Sequence, residues 1–525
     1  MPWAAPFRRL PHNHHLSVRR LPLTLLLAAL AVAHACSFAG SGPFDDDFIL
    51  YRYARNLAQG LGPVFQPGER VEGFTSPLSV LLLAWCLRLG LAAHKASFLI
   101  SCLGTVMAVC SLDLLWRRAR LQSRFPLPAL LLALSPAFAW HAVAGQGTTL
   151  VAGLLAAALL FHERASRAQT GAGLAAALLG LAALARPEAL LFIPPFLLIE
   201  RGRPAARLPL QALLALAPTL AWGVFRYAYY GTLLPITWSL KKLPFLTDLG
   251  YGASYLAQGT LETGFLLAVL LALPQLRRFR TGAPDRTPAF AAAAAGLVLH
   301  TLFTAYSGGD FIPLGRFLMP VLPLALFLAS VSVARWSLKP PVAAALVLLA
   351  LLAPQWVQLR RGELYQRQRV EEQRWIQLGE VMGGRLAPDM KVALAPIGAF
   401  GFVSGLPIVD LLGRTNDTVH RAAPDLTIAM KGHHRFDAEY VLGERPAMII
   451  LGNGRTGATA GAAEQAAGRG QLVVSAWERT LFEHPVFKRD YEPRVCAIPE
   501  GDPLIFFWRR DISAPAWSQA IVQNN

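Results

Sequence analysis

Twelve apolar runs crowd the first 358 residues and leave only short, mostly basic loops between them. They fall near 21–40, 77–93, 96–116, 126–142, 147–161, 171–185, 187–199, 208–227, 262–276, 288–306, 316–335 and 341–357. A helix needs about 20 residues to cross the hydrocarbon core, and a helix satisfies its own amides in lipid. The pattern predicts an α-helical polytopic membrane protein with about 11–13 transmembrane helices, although several runs are shorter than a full crossing. Charged residues make up only 15% of the chain, against about 25% in average soluble domains.

Charge distribution sets the orientation. The net charge is +17, yet residues 360–525 hold 20 basic and 19 acidic side chains, so nearly all of the excess lies earlier. It sits in the loops RRARLQSR (117–124), HERASRAQ (162–169), ERGRPAAR (200–207), LRRFRTGAPDR (276–286) and RWSLK (335–339). Such an excess marks the cytoplasmic side and argues against a nucleic-acid partner. Loops 41–76, 228–258 and 306–315, and everything after 358, then lie outside. Twelve crossings from a cytoplasmic N-terminus would return the tail to the cytoplasm. Either one run between 77 and 116 does not cross fully, or RRARLQSR breaks the charge rule. The first run, with AHA before Cys36, has features of a signal peptide, but the number of runs behind it favours an uncleaved span. Five cysteines without CxxC or Cys/His spacing give no zinc signal.

After residue 358 the composition changes. Short β-rich runs (KVALAPIG, PAMIILGN, QLVVSAW, PLIFFWRR) alternate with charged helical stretches such as YQRQRVEEQRWIQLGEVM. This predicts a membrane domain over 1–358 and a soluble α/β domain over 359–525. GATAGAAEQAAGRG (457–470) reads as a flexible loop, since a phosphate cradle would need a strand-to-helix context and a lysine.

The first outer loop opens with FDDDFILYRYARNLAQG (44–60), in which Asp45, Asp46 and Asp47 stand side by side. Like charges repel, and a carboxylate near lipid is costly unless paired or used. One reading makes a carboxylate the general base on an acceptor hydroxyl, its pKa raised by its neighbours. The other makes the acids cap the helix that follows. That helix is expected to lie on the membrane, with residues 48, 49, 51 and 53 toward lipid and Arg52 and Arg55 toward headgroups or an anionic donor.

Two further outer clusters carry charge. In YSGGDFIPLGRF (306–317), Asp310 and Arg316 either pair with each other or present Arg316 to a lipid phosphate. In RYAYYGTLLPITWSLKK (226–242), Arg226, Tyr230, Lys241 and Lys242 supply cations for phosphate and rings for sugar faces, although an aromatic belt with snorkelling lysines has the same composition. ARPEA (185–189) places Arg186 and Glu188 on the same side. His141 and His300 lie near span ends and receive no role.

These clusters, in this order, resemble multi-spanning GT-C glycosyltransferases related to the mycobacterial terminal β-(1→2)-arabinofuranosyltransferase. The family's DDAFI-x-x-RYARNLA-x-G-x-G-x-VFNPGE-x-VEGYTS is matched by DDDFILYRYARNLAQGLGPVFQPGERVEGFTSP. Its YYG-x-LLPNT is matched by YYGTLLPIT, and its GGDFMP-x-GRF by GGDFIPLGRF. IVDLLGRTND (408–417) and GHHRFDAEYVLGERP (432–446) resemble D-x-x-GLTD and GH-x-x-x-D-x-EY. The resemblance implies a GT-C fold in the bacterial inner membrane with its active site and C-terminal domain in the periplasm. It implies a polyprenyl-phosphate-linked sugar donor, such as an arabinofuranose, and a cell-envelope glycan or lipid acceptor. The catalytic acids would be Asp45 and Asp46, with a divalent metal (Mg, Mn or Ca) admissible at that pair. Donor phosphate or sugar would meet Arg52, Arg55, Arg226, Tyr230, Lys241, Lys242, Asp310 and Arg316. The chain departs from the pattern at Asp47, Gln66, Ile236 and Gly147, the last standing where the family has an acid.

Two other classes remain open at this stage. A lipid or sugar transporter would show inverted repeats and mid-membrane charges, whereas here the acids cluster at one face. A non-catalytic envelope or motor-assembly factor would keep the fold and lose the chemistry. In the tail, Trp375, Trp477 and Trp508 are candidates for stacking on an acceptor sugar, or core residues.

Overall fold

The computed structural model describes residues 21–119, 125–145, 147–168, 170–199, 207–281, 287–310, 312–335, 340–360, 363–425, 431–452, 476–499 and 502–520. Four helices among them are long and apolar enough to cross a membrane: Ala93–Arg118, Thr148–Arg167, Leu208–Tyr230 and Pro288–Ser307. A fifth is broken, its halves Phe245–Thr263 and Phe265–Arg280 meeting at 92°. The break falls at Gly264, whose φ of +69° reverses the backbone as few side-chain-bearing residues can. Shorter apolar helices, including Leu21–Cys36, Pro77–Arg88 and Ala172–Ala185, complete the bundle.

Apolar runs therefore outnumber unbroken helices, and proline explains much of the difference. Run 126–142 becomes Leu127–Ala133 and Pro136–Val143, the second starting at a proline behind Ser135, whose hydroxyl accepts from Phe138 N. Pro187 ends Ala172–Ala185 and starts a 3-10 turn. Proline lacks the N–H that would continue either helix. Elsewhere the bundle closes tightly. A Cβ at Gly104 or Gly153 would collide with the facing backbone, so Ala93–Arg118 and Thr148–Ala168 pack nearly main chain to main chain. Along Leu208–Tyr230, Leu210, Leu213, Leu220 and Val224 are exposed, as a lipid-facing surface requires.

The C-terminal part forms a six-stranded sheet in the order β2-β1-β3-β5-β4-β6. β1 (Val392–Leu394) pairs in parallel with β2 (Ile408–Asp410) and β3 (Met448–Ile449); β4 (Tyr491–Cys496), β5 (Leu504–Arg509) and β6 (Gln519–Ala520) are antiparallel. Helices Glu363–Arg385 and Ile397–Ser404 pack beside it. Of QLVVSAW, residues 471–475 lie outside the described residues, as does 457–470, and Ala476 begins a helix. Trp375 and Trp508 are buried core residues, not sugar platforms; the side chain of Trp477 lies outside the described residues.

The first outer loop belongs to this domain's core. Phe48, Ile49, Tyr51 and Tyr53 of helix Asp45–Ala58 are buried, in one cluster with Trp375, Phe400 and Ile408. The helix expected to lie on lipid is instead clamped beneath the C-terminal domain. Aromatic and aliphatic side chains suit either environment, and composition does not distinguish them.

Candidate active site

Each of the three acids does something different. Asp47 accepts a hydrogen bond from Phe44 N at 2.8 Å and caps its own helix. Asp45 accepts from Gly398 N at 3.0 Å and Ala399 N at 2.8 Å, so it caps helix Ile397–Ser404 in the C-terminal domain. Asp46 lines a cleft of about 170 Å³ between the membrane bundle and that domain. The cap reading holds for Asp47 and Asp45, and Asp46 is the acid of the three that faces the cleft.

Cations surround Asp46. Arg414 donates to it at 2.6 Å, and Arg316 stands 3.6 Å away. Burial pushes the Asp46 carboxyl up, but the charges of Arg414, Arg316 and Lys241 outweigh it and hold the pKa down at about 2. Asp45 goes the other way, to about 6: burial and the Asp46 charge prevail over the two backbone amides. Lys241 also lines the cleft, and neither a hydrogen bond nor an ion pair holds its amine among the described residues. Burial and the nearby Arg316 charge bring it down to about 8.

Asp310 and Arg316 form a buried ion pair at the cleft edge, so the pairing reading holds while Arg316 still reaches Asp46. The two glycines before Asp310 allow this turn: a Cβ at Gly308 would strike the Lys431 amine, and one at Gly309 the Tyr255 ring. Lys242 lines the cleft too, but pairs with Asp248 at 3.4 Å and lies 4.0 Å over Tyr306. Arg186 and Glu188 line it as a close pair. Ile49, Leu50, Phe74, Trp238, Phe303 and Phe317 supply an apolar wall. An amphiphile with one anionic group fits such a surface.

Four expected donor contacts lie away from this cleft. Arg52 gives its guanidinium to the carbonyls of Phe65 (2.8 Å), Gly401 (2.7 Å) and Leu406 (2.9 Å), stitching the loop to the C-terminal domain. Arg55 bonds to Phe402 O at 2.8 Å. Arg226 pairs with Glu72, and Tyr230 donates to Pro63 O at 2.5 Å, pinning the loop to helix Leu208–Tyr230. All four spend their polar groups on protein partners outside the cleft, and they act as clamps. Gln66 is a clamp as well, accepting from Ile408 N.

Sequence reasoning passed over Arg414. It reaches the cleft because the Asp410 carboxylate gathers Leu412 N (2.9 Å), Gly413 N (3.1 Å) and Thr415 N (2.7 Å) into a turn at the end of β2. The only signal was that arginine stands where the D-x-x-GLTD pattern has leucine. His433 was overlooked too; its Nε2 lies 3.4 Å from the Arg414 guanidinium.

The donor set does not suit a metal. No group of three His, Cys, Asp or Glu side chains that could hold one occurs among the described residues. Both Asp45 oxygens are taken by amides, and guanidinium groups approach Asp46 where a divalent cation would need to sit.

The fold and cleft define the class: this is a multi-pass membrane protein with the GT-C fold. Two structures of ArnT from Cupriavidus metallidurans share that fold, one bound to undecaprenyl phosphate (TM-score 0.51, 94% of this chain and 99% of that one) and one in the apo state (0.52, 95% and 100%), each at 13% identity. By sequence the chain is similar to the terminal β-(1→2)-arabinofuranosyltransferase of Mycobacterium tuberculosis, 29% identical over 354 residues, covering 60% of this chain and 56% of that protein. It is also similar to the Corynebacterium glutamicum protein of the same name, 31% identical over 387 residues, covering 64% and 54%. The chain thus spans little more than half the length of these relatives. Residues 358–496 match a domain of unknown function, DUF8728.

Proposed function

We propose that this protein is a glycosyltransferase that moves a sugar from a polyprenyl-phosphate donor to a hydroxyl of a cell-envelope glycan or lipid, on the periplasmic face of the inner membrane. One observation carries the reading: Asp46 shares a cleft with Lys241 and Arg316 against an apolar wall, while the other two carboxylates lining it, Glu188 and Asp248, are held by Arg186 and by Lys242 and Lys431. In this reading the wall takes the prenyl chain, the cations hold the phosphate and the carboxylate takes a proton. A relative named as an arabinofuranosyltransferase and a neighbour bound to undecaprenyl phosphate support a lipid-linked donor.

The chemistry is a direct displacement. The acceptor oxygen attacks the anomeric carbon, the carbon–oxygen bond to phosphate breaks with its electron pair left on the phosphate, and the acceptor proton passes to Asp46. A phosphate leaving group needs no proton, so one carboxylate suffices where a glycoside hydrolase uses two.

Arabinofuranose is the first sugar to test. Neither Gly147 nor Ile236 lines the cleft. Gly147 has a φ of +68° and abuts Ser79, so an acid would not fit there. Sugar choice would then rest with the cleft residues themselves.

The test is transfer by the purified protein from a panel of polyprenyl-phosphate pentoses and hexoses, followed as release of polyprenyl phosphate. Turnover with one donor is expected. If the panel fails while the mycobacterial relative turns over alongside, the protein is a non-catalytic factor.

A further inference from the structure

We infer that Arg414 exchanges its counterion during the reaction, passing from Asp46 to the donor phosphate as that phosphate gains its second negative charge. The inference rests on the donor reading above and adds a residue that reading does not need.

The ion pairs in the cleft are unequal. Arg316 is committed to the buried Asp310 and meets Asp46 only at 3.6 Å. Arg414 has Asp46 as its sole carboxylate partner among the described residues, at 2.6 Å, with His433 as its other neighbour. Burial and the Arg414 charge push His433 down to about 3, which leaves it neutral, so it does not compete with Arg414 for the Asp46 charge.

Charge accounting then constrains what Arg414 does. The donor is a phosphodiester with one negative charge. Breaking the bond to the sugar leaves a monoester carrying about −1.5 to −2 at neutral pH. In the same step Asp46 receives the acceptor's proton and becomes neutral. If Arg414 stayed in place it would face an uncharged acid while the added charge on the phosphate was met by Lys241 and Arg316 alone. A guanidinium fork matches phosphate as well as it matches carboxylate, so the move costs little geometry. Before the reaction the same contact keeps Asp46 ionised and weakly basic, and release of Arg414 raises its basicity when the proton must be taken.

The arginine comes from the C-terminal domain while the acid comes from the first outer loop. Gly73 of that loop lets the two approach, since a Cβ there would lie 2.6 Å from Arg414 O.

A double-mutant cycle on binding of undecaprenyl phosphate, the monoester form, tests it in the purified full-length protein. Asp46→Asn mimics the protonated acid and should tighten binding about tenfold by freeing Arg414. Arg414→Leu should weaken binding by a similar factor. In the double variant the gain from Asp46→Asn should shrink to about twofold or less, because the residue it frees is gone. Arg414→Gln, closer in shape, serves if the leucine variant does not fold. An equal gain from Asp46→Asn in both backgrounds, or unchanged affinity on losing Arg414, would overturn the exchange while leaving the donor reading intact. Absence of binding by the parent protein would instead overturn the donor reading, and the exchange with it.

Discussion

Asp45 and Asp46 are adjacent in the chain, yet their carboxylates serve different parts of the molecule: Asp45 holds the amides of Gly398 and Ala399, and Asp46 holds Arg414 in the cleft. Asp45 therefore belongs to the attachment of the C-terminal domain. Asp45→Ala should cost about 1–3 kcal/mol of stability, the value of a charge-assisted cap and the amides it leaves bare. Thermal unfolding and limited proteolysis of the domain junction check this, and transfer should persist in whatever fraction stays folded.

On the proposed donor reading, Lys241 should set an alkaline limit on binding. Burial brings its amine to about 8, so it loses charge as pH rises through that value. Affinity for a polyprenyl phosphate should fall above about pH 8, and Lys241→Arg, which stays charged, should move that fall to higher pH. A binding profile identical in the two proteins would remove Lys241 from the phosphate site.

Glu372 links stability to pH. This half-buried carboxyl on helix Glu363–Arg385 is pushed up to about 9, by burial and then by the Asp45 charge. A carboxyl whose folded pKa is raised favours the fold at low pH, where it is protonated in both states, and that advantage fades as pH rises through the folded value. Glu372→Gln keeps the neutral form at every pH. Its unfolding midpoint should exceed the parent's near pH 8, and the difference should vanish near pH 4.

Gly73 is the point where the first loop touches the Arg414 turn. An added Cβ would lie 2.6 Å from Arg414 O and 2.8 Å from the Tyr53 hydroxyl. Gly73→Ala should displace Arg414 and lower transfer by about ten- to a hundredfold, in line with a shift of roughly 1 Å at a reacting centre. An unaffected rate would mean that the turn can move aside.

Much of this was legible in the sequence. Apolar runs and loop charges announced a membrane bundle, and motif order announced the GT-C class. Asp46, Lys241, Lys242 and Arg316 do line one cleft, with Asp310 paired to Arg316. What was hidden was long-range pairing. Arg52 and Arg226 look like free cations at a membrane surface until Gly401 O and Glu72 are seen to hold them. Arg414 looks like an ordinary tail residue until folding carries it 368 positions back to Asp46. Local pattern reports a residue's type and its secondary structure, but not the partner that consumes its charge.

The most direct test of the account compares Asp46→Asn with Asp45→Asn in the transfer assay, with folding checked for both. The prediction is a loss of about a hundredfold or more in kcat for Asp46→Asn, the usual contribution of a general base, and near-parent kcat for Asp45→Asn. Loss confined to Asp45→Asn, or full activity in both, would contradict the assignment of the base to the cleft.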